Sequence, residues 1–328
     1  MTETLKKVRK NALKLLLPPP RLKLSEWIES TVRLPATVSA LPGAVRLWSY
    51  QREIADSIGD PLIERVSVVK PVRVGFTMLT TAAVAGFVAN DPCPVAVVQP
   101  TESDARGFAV DDLEPMFEAT PALRDLLSGD NDETGRSTLL SRKFPGGSLK
   151  LLAARSPRQL RRHTIRALFL DETSAYEVTN EGDPITLAER RTFSYANRKI
   201  VAGSTPVFEN DTILRAYAQS DQRIFEVPCP ECGGLTEIQW THIEWEEGKP
   251  ETAAFRCPHC SALVDERHKP AMVAAGSWRA TRPEVKNHAG FRLNALISSL
   301  HNPAWGKLAT QFPGSQEPPH TLHTIHTR

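Results

Sequence analysis

Two cysteine pairs, Cys229-Pro230-Glu231-Cys232-Gly233 and Cys257-Pro258-His259-Cys260, stand 24 residues apart in this 328-residue chain. Each pair offers two thiolates from one tight turn, and two such turns make a tetrahedral four-sulfur set suited to Zn²⁺. Four protein ligands leave no open position for water, so the expected metal is structural rather than hydrolytic. A thiol redox pair is the alternative use of these residues, and His259 reads as a turn residue rather than a ligand. Only Cys93 is left over, a pattern that speaks for metal in a reducing compartment rather than for disulfides.

A second chemistry lies upstream. The apolar run Ala167-Leu168-Phe169-Leu170 leads directly into Asp171-Glu172, the Walker B arrangement. Such a strand buries itself in a sheet and projects Asp171 toward Mg²⁺, while Glu172 orients or deprotonates an attacking water. An acidic turn after a strand would give the same pattern, so a partner motif is needed. Lys70-Pro71-Val72-Arg73-Val74-Gly75-Phe76-Thr77 follows an earlier strand and precedes a helix. A standard phosphate loop has glycine at its start and lysine before Ser/Thr, whereas here Lys70 opens the loop and Phe76 takes the lysine position. The physics survives relocation. A lysine stem can reach phosphates from the loop start, backbone N–H groups and the helix N-terminus favour anions, and Thr77 can ligate Mg²⁺. Arg73 adds a second cation. Taken alone, the octapeptide reads as a basic turn on a solvated edge.

Charge is unevenly spread. The chain carries 40 Lys+Arg against 38 Asp+Glu, yet the first 24 residues hold Lys6, Lys7, Arg9, Lys10, Lys14, Arg21 and Lys23 against Glu3 alone. This arm reads as a short amphipathic helix stopped by Pro18-Pro19-Pro20, either docking on a partner or solvated. Between Gly146 and Leu170 stand Lys150, Arg155, Arg158, Arg161, Arg162 and Arg166 with no acidic residue. Without interleaved aromatics this band suits sequence-independent contact with DNA phosphates; a solvated helix face is the alternative. No run of 18 apolar residues and no cleavable leader are present, so membrane spanning and secretion lose support and the cytosol is expected.

The elements that must position these residues alternate. Helical signals cover Trp27-Ile28, Tyr50 to Ile58 and Met78 to Val88; strand signals cover Val66 to Val69, Pro94 to Val98, Ala167 to Leu170 and Lys199 to Ala202. The alternation predicts an α/β fold with a parallel sheet and helices on its faces. Thr236 to Trp240 has strand alternation suited to a zinc ribbon.

Together these segments resemble the large subunit of lambda-type bacteriophage terminases, the GpA family of DNA-packaging motors. The resemblance rests on Leu47 to Arg52, Lys70 to Thr77, Val98-Gln99-Pro100-Thr101, Ala154 to Arg161, Leu168 to Glu172, Gly203-Ser204-Thr205-Pro206, the two cysteine pairs and Gly290 to Leu296. It spans about residues 25 to 312, and in this family the loop lysine is itself displaced to the start. The resemblance implies a P-loop NTPase core of RecA/ASCE type with an inserted zinc ribbon. It implies that Tyr50 and Gln51 contact adenine; that Lys70, Arg73, Gly75 and Thr77 face phosphates, with Arg73 and Glu172 catalytic; and that Thr77 and Asp171 hold Mg²⁺. Ser204 and Thr205 would couple nucleotide state to movement, with Arg155, Arg158, Arg161, Arg162 and Arg166 on DNA. One departure is that Phe76-Thr77-Met78 supplies no lysine after the loop glycine.

The implied activity is ATP-driven translocation of double-stranded DNA into a procapsid, in the cytoplasm of a bacterial host. ATP, Mg²⁺ and structural Zn²⁺ are the implied cofactors. The implied partners are DNA, a terminase small subunit reached through the basic arm, the procapsid portal and further copies of the chain. The competing readings are a helicase-like DNA-dependent ATPase and a non-catalytic zinc-ribbon scaffold that binds nucleic acid. The expected organisation is a basic arm over 1–24, an ATPase core over 25–222, a zinc ribbon over 223–268, the C-terminal part of the ATPase region or a linker over 269–312, and a disordered tail over 313–328. That tail has Glu317 as its sole carboxylate side chain, too little to build the metal-dependent nuclease the family carries. The chain is therefore expected to end before the nuclease, through a frameshift, a premature stop or a genuine short terminus.

Overall fold

The computed structural model describes residues 22–37, 39, 41–127, 138–298 and 304–311. The basic arm before residue 22 and the tail over 313–328 lie outside the described residues.

The chain enters through helix α1 (Leu24–Thr31), a two-residue hairpin of β1 (Arg33–Leu34) and β2 (Gly43–Ala44), and α2 (Ser49–Gly59). Then strands and helices alternate: β3 (Arg65–Val69), α3 (Phe76–Ala89), β4 (Pro94–Gln99), and α4 (Glu102–Gly107), which runs through a π-helical turn into α5 (Glu114–Ala119). Next come β5 (Ser141–Phe144), β6 (Gly147–Ala153), α6 (Pro157–Arg162), β7 (Ala167–Asp171), α7 (Pro184–Glu189), β8 (Lys199–Ser204), α8 (Thr212–Ala218) and β9 (Arg223–Pro228). The remainder is β10 (Leu235–Thr236), β11 (Ile243–Glu246), β12 (Lys249–Arg256), β13 (Leu263–Asp265), α9 (Lys269–Ala274), β14 (Ser277–Ala280), β15 (His288–Arg292) and α10 (Trp305–Gln311).

Among the described residues the main sheet has ten strands, ordered β10-β9-β15-β3-β8-β7-β4-β6-β5, with β14 on the far side of β9. The ladders from β9 to β6 are all parallel, and antiparallel strands sit only at the margins. Period-two alternation divides the core. Val66, Val68, Val95, Val97, Phe169 and Val201 pack on one face beneath α1, α2 and α3. Val69, Ala96, Val98, Leu168, Leu170 and Ile200 pack on the other with Leu160 of α6, Leu187 of α7 and Ile213 of α8. Both faces are thus covered, which is why the strands read as continuous apolar runs.

Two readings change. The main sheet includes β9 and, between β9 and β3, β15: residues 223–228, expected to open the ribbon, lie in the main sheet, whereas 288–292 fit the first of the two uses expected of 269–312, the C-terminal part of the ATPase region. The alternation at Thr236 to Trp240 yields only the two-residue β10, followed by a 3-10 turn over Trp240–His242. Glu237 there turns to the core instead, pairing with Arg292 at 2.8 Å. The three-stranded antiparallel sheet β11-β12-β13 forms the body beside the cysteines.

Candidate functional site

Three neighbouring parallel strands end in one row. The register pairs Val69 of β3 with Ser204 of β8, and Asp171 of β7 with Gly203 of β8. On the far side of β7, β4 pairs Val98 with Leu170, which brings Gln99 level with Asp171. Between β3 and β4 the strand order reverses direction, so this row lies at the switch point where open α/β sheets bind ligands.

Lys70 leaves β3 with its N–H on the Ser204 carbonyl, and only 5% of it is exposed. Its ammonium meets Glu172 Oε1 at 2.6 Å. Asp171 is 3% exposed; its Oδ2 accepts from Gln99 Nε2 at 3.4 Å and its Oδ1 from the Glu172 N–H at 3.1 Å. Burial pushes the Asp171 carboxyl up to about 6, and Lys70 pulls against that rise. Glu172 sits at φ 51°, in the left-handed region. For a non-glycine residue that conformation is held only where its surroundings enforce it. Here the strand end, the Lys70 pair and the following turn over Thr173–Ala175 do so.

The loop between β3 and α3 carries two more left-handed residues, Arg73 (φ 67°) and Gly75 (φ 72°), just before a 14-residue helix. Alternating conformations of this kind can turn successive N–H groups inward, and such a nest at a helix N-terminus is the backbone arrangement that suits an anion. A Cβ on Gly75 would stand 2.7 Å from Gln51 Nε2, so only glycine admits the brace beneath the loop. That brace is Gln51 Nε2 donating to the Val74 carbonyl at 3.0 Å, with the Tyr50 hydroxyl on the same oxygen at 3.4 Å. Tyr50 is fully buried, its ring beside Trp48 and Phe225, so the ring has no face open to a base. Both residues shape the loop from behind. Arg73 is exposed on the loop and Thr77 half-buried in the first turn of α3, where its carbonyl accepts from Thr81.

Phe76 occupies the position of the missing lysine for a packing reason. Its ring lies against Gly203, where a Cβ would come within 2.1 Å of Cε1, and Lys70 Nζ stands 5.6 Å from the ring centroid. The side chain faces the sheet and not the nest.

Ser204 Oγ lies 3.4 Å from Glu172 Oε2 and 2.7 Å from Ser174 Oγ. The Thr205 and Thr173 hydroxyls, each one residue beyond a site residue, are buried without a hydrogen-bond partner among the described residues. Ser174 and Asp211, which caps α8, escaped the sequence reading, and Gln99 was quoted there only within a resemblance segment, with no role. The signal that could have marked Gln99 is a polar residue ending an apolar run.

The basic band divides. Arg155 pairs with Glu177 at 2.6 Å and Arg161 with Glu181. Arg166 lies at the opposite end of β7 from Asp171, largely covered, over the Phe87 ring and paired with Asp91, which takes it away from the exposed group. Arg158 and Arg162 of α6 are exposed with no ion pair among the described residues.

The four cysteine sulfurs lie within 4.8 Å of one another, with Cys229···Cys260 at 3.9 Å and Cys232···Cys257 at 3.8 Å. Tetrahedral Zn–S bonds of about 2.3 Å demand S···S separations of about 3.8 Å, so the donor set fits Zn²⁺. Both knuckles are built alike. Gly233 N–H bonds the Cys229 carbonyl at 2.8 Å and Ser261 N–H the Cys257 carbonyl at 2.9 Å. Gly233 and Ser261 are both left-handed. Gly234 and His259 N–H groups point at Cys232 and Cys257 sulfurs, each at 3.4 Å. His259 Nε2 is engaged with the Leu235 carbonyl at 3.1 Å, consistent with a turn role.

This chain is similar to the large terminase subunits of Enterobacteria phage P21 (27% identical over 265 residues, 77% of this chain and 41% of that protein) and Escherichia phage lambda (25% over 271 residues, 79% and 42%). It spans about two fifths of the length of these curated relatives. Among solved structures, the HK97 bacteriophage large terminase aligns over 60% of this chain and 40% of its own at 15% identity with a TM-score of 0.47. Residues 39–278 match the family described as "Phage terminase large subunit gpA, ATPase domain", and the chain belongs to that family.

Proposed function

We propose that this chain is the ATP-hydrolysing part of a viral DNA-packaging motor, acting in the host cytoplasm. The observation that carries the reading is the single row at the sheet's C-terminal edge, where Lys70, Asp171, Glu172 and Ser204 meet beside the Arg73–Gly75 nest. The nest, Lys70 and the N-terminus of α3 receive the phosphates. Asp171 and Thr77 would hold Mg²⁺, which when bound supplies charge neutralisation between the terminal phosphates. Glu172 positions water and takes its proton; in the resting arrangement Lys70 occupies it. Arg73, exposed on the loop, is free to approach the transferred phosphate.

The cysteine cluster holds structural Zn²⁺ in this reading, because all four positions are protein sulfurs. Exposed Arg158 and Arg162 of α6, with Arg155 and Arg161 when released from their surface pairs, meet DNA phosphates without reading bases. A small subunit, the portal and further copies of the chain are the partners the family implies. No helix among the described residues is long and apolar enough to cross a membrane.

The test is ATP turnover with and without duplex DNA. DNA-stimulated turnover abolished by Glu172→Gln is expected; turnover unaffected by that change refutes the assignment, and binding of DNA without any turnover favours a scaffold. Packaging with a procapsid separates a motor from a helicase.

A further inference from the structure

The carboxylate proposed as catalytic does not stand alone. Glu172 Oε1 is held by Lys70 at 2.6 Å, while among the described residues Oε2 has only the Ser204 hydroxyl at 3.4 Å, the outer limit of a hydrogen bond. The reason is a proton count. Asp211 is 6% exposed and its Oδ1 takes the Ser174 hydroxyl at 2.7 Å. An ionised carboxylate only accepts, and a hydroxyl has one proton. Ser174 has therefore spent its proton and offers its oxygen to Ser204, which donates to it at 2.7 Å. The Ser174 N–H closes the other side, donating to Ser204 Oγ at 3.0 Å. Ser204 has one proton and two acceptors, and Asp211, acting through Ser174, decides which is served.

Asp211 is also a mechanical joint. Its Oδ2 accepts from the Val207 N–H at 3.1 Å, and its Oδ1 accepts from the Ile213 N–H at 3.1 Å at the start of α8. One side chain ties together the turn after β7, the segment after β8 and a helix. The segment it anchors presents Val207 and Phe208 to solvent, with Phe208 74% exposed.

We propose that Ser174 and Asp211 are positioning residues that pass the state of Glu172 to the segment 205–211. This rests on the reading of Lys70 and Glu172 as the phosphate and water contacts. When a phosphate claims Lys70, Glu172 loses its close partner and the nearest donor is the Ser204 hydroxyl. Its proton turns to Glu172 Oε2, Ser174 loses the bond it was accepting, and the tie to Asp211 is redrawn. The Thr173 and Thr205 hydroxyls, unpartnered among the described residues, lie one residue beyond Glu172 and Ser204, where a second arrangement can use them. Coupling of this kind needs one bistable element that both ends bias, and the Ser204 proton is that element.

The test is hydrogen exchange of residues 205–213 with and without Mg²⁺ and ATPγS, alongside ATPγS affinity by calorimetry, in the full chain and in Ser174→Ala, Ser174→Thr and Asp211→Asn. Expected is a change of about threefold or more in exchange rate over 205–213 on binding. In Ser174→Ala that response should be lost with affinity kept within about threefold, and Ser174→Thr should restore it. Asp211→Asn keeps an oxygen for Ser174 and Ile213 but opposes the Val207 N–H with an amide, and should blunt the response; it also serves if Ser174→Ala does not fold. A wild-type segment indifferent to bound ATPγS overturns the inference, as does a Ser174→Ala response equal to wild type. Failure of the wild type to bind ATPγS at all instead overturns the nucleotide-site reading beneath it.

Discussion

Replacing Phe76 by lysine restores the lysine that a standard phosphate loop has before Ser/Thr, and the structure predicts that it harms the protein. Phe76 is 6% exposed and its ring edge lies against the Gly203 backbone, with the Lys70 ammonium 5.6 Å from its centroid. Losing the buried ring forfeits about 2–3 kcal/mol of apolar burial and about 0.5–1 kcal/mol of cation–π attraction. A second ammonium about 6 Å from Lys70 adds repulsion of about 3 kcal/mol at an effective dielectric of 20. Rotation of the new stem toward the loop relieves part of this, leaving a net loss of roughly 3–5 kcal/mol, a large share of the about 5–15 kcal/mol that holds a domain folded. Urea denaturation should therefore rank wild type above Phe76→Leu and Phe76→Leu above Phe76→Lys, and nucleotide binding should weaken in Phe76→Lys. If Phe76→Lys unfolds within about 0.5 kcal/mol of wild type and binds ATP more tightly, position 76 faces the phosphates and the packing argument is wrong.

Gly203→Ala attacks the same contact from the strand side, where its Cβ would stand 2.1 Å from Phe76 Cε1; a loss of about 1–3 kcal/mol is expected, partly recovered by adding Phe76→Leu, and no recovery in the double variant would count against it. For the cysteine cluster, metal analysis should find about one zinc per chain, lost in Cys232→Ser with a change in tryptophan fluorescence from the nearby Trp240–Trp245 pair while the sheet persists; zinc-free reduced protein would sink the assignment. Burial, with Arg65 nearby, holds His288 down to about 4 from 6.5. The unfolded chain takes a proton near pH 6.5 that the folded protein refuses until near pH 4, so this contribution is full above 6.5 and falls by about 3 kcal/mol as pH drops through that window. His288→Gln, compared with wild type, should remove that decline, and identical pH profiles would refute it. Arg158→Gln with Arg162→Gln should weaken duplex binding and flatten its salt dependence by a slope of about 2; unchanged affinity at low salt would remove α6 from the DNA face.

Much of the sheet was legible because its strands are buried on both sides. Val66 to Val69, Pro94 to Val98, Ala167 to Leu170 and Lys199 to Ala202 each appear as strands, one or two residues longer at an end. That Asp171 and Lys70 stand at strand ends was legible because each closes an apolar run; what they do there was not, because acidic and basic turns after strands give the same pattern. Order across the sheet was not, since β15 and β9 are distant in sequence from β3 and short apolar runs do not name their neighbours. The burial of Tyr50 escaped because an aromatic beside a glutamine looks the same whether it meets a base or braces a loop. The Ser174–Asp211 link escaped because hydroxyls and carboxylates are common in turns; only the register of β7 and β8 brings them together.

The position of β15 bears on the order in which the protein can be made. It lies directly beside β3, the strand that leads into Lys70, yet it is translated after every other strand of the sheet. A nascent chain that has emitted Lys70, Asp171 and Glu172 still exposes one edge of β3 until residues 288–292 clear the ribosome. An open parallel edge is a template for wrong pairing. The 59 residues from Cys229 to Asn287 separate β9 from the strand it must flank, and the cost of closing such a loop grows with the logarithm of its free length. Metal capture by the two knuckles would tie residues 229 and 260 together before β15 arrives, shortening the effective span. If the captured ion is zinc, its supply during synthesis would then govern how much of the chain reaches its working form, through cysteines of which the first follows directly on β9.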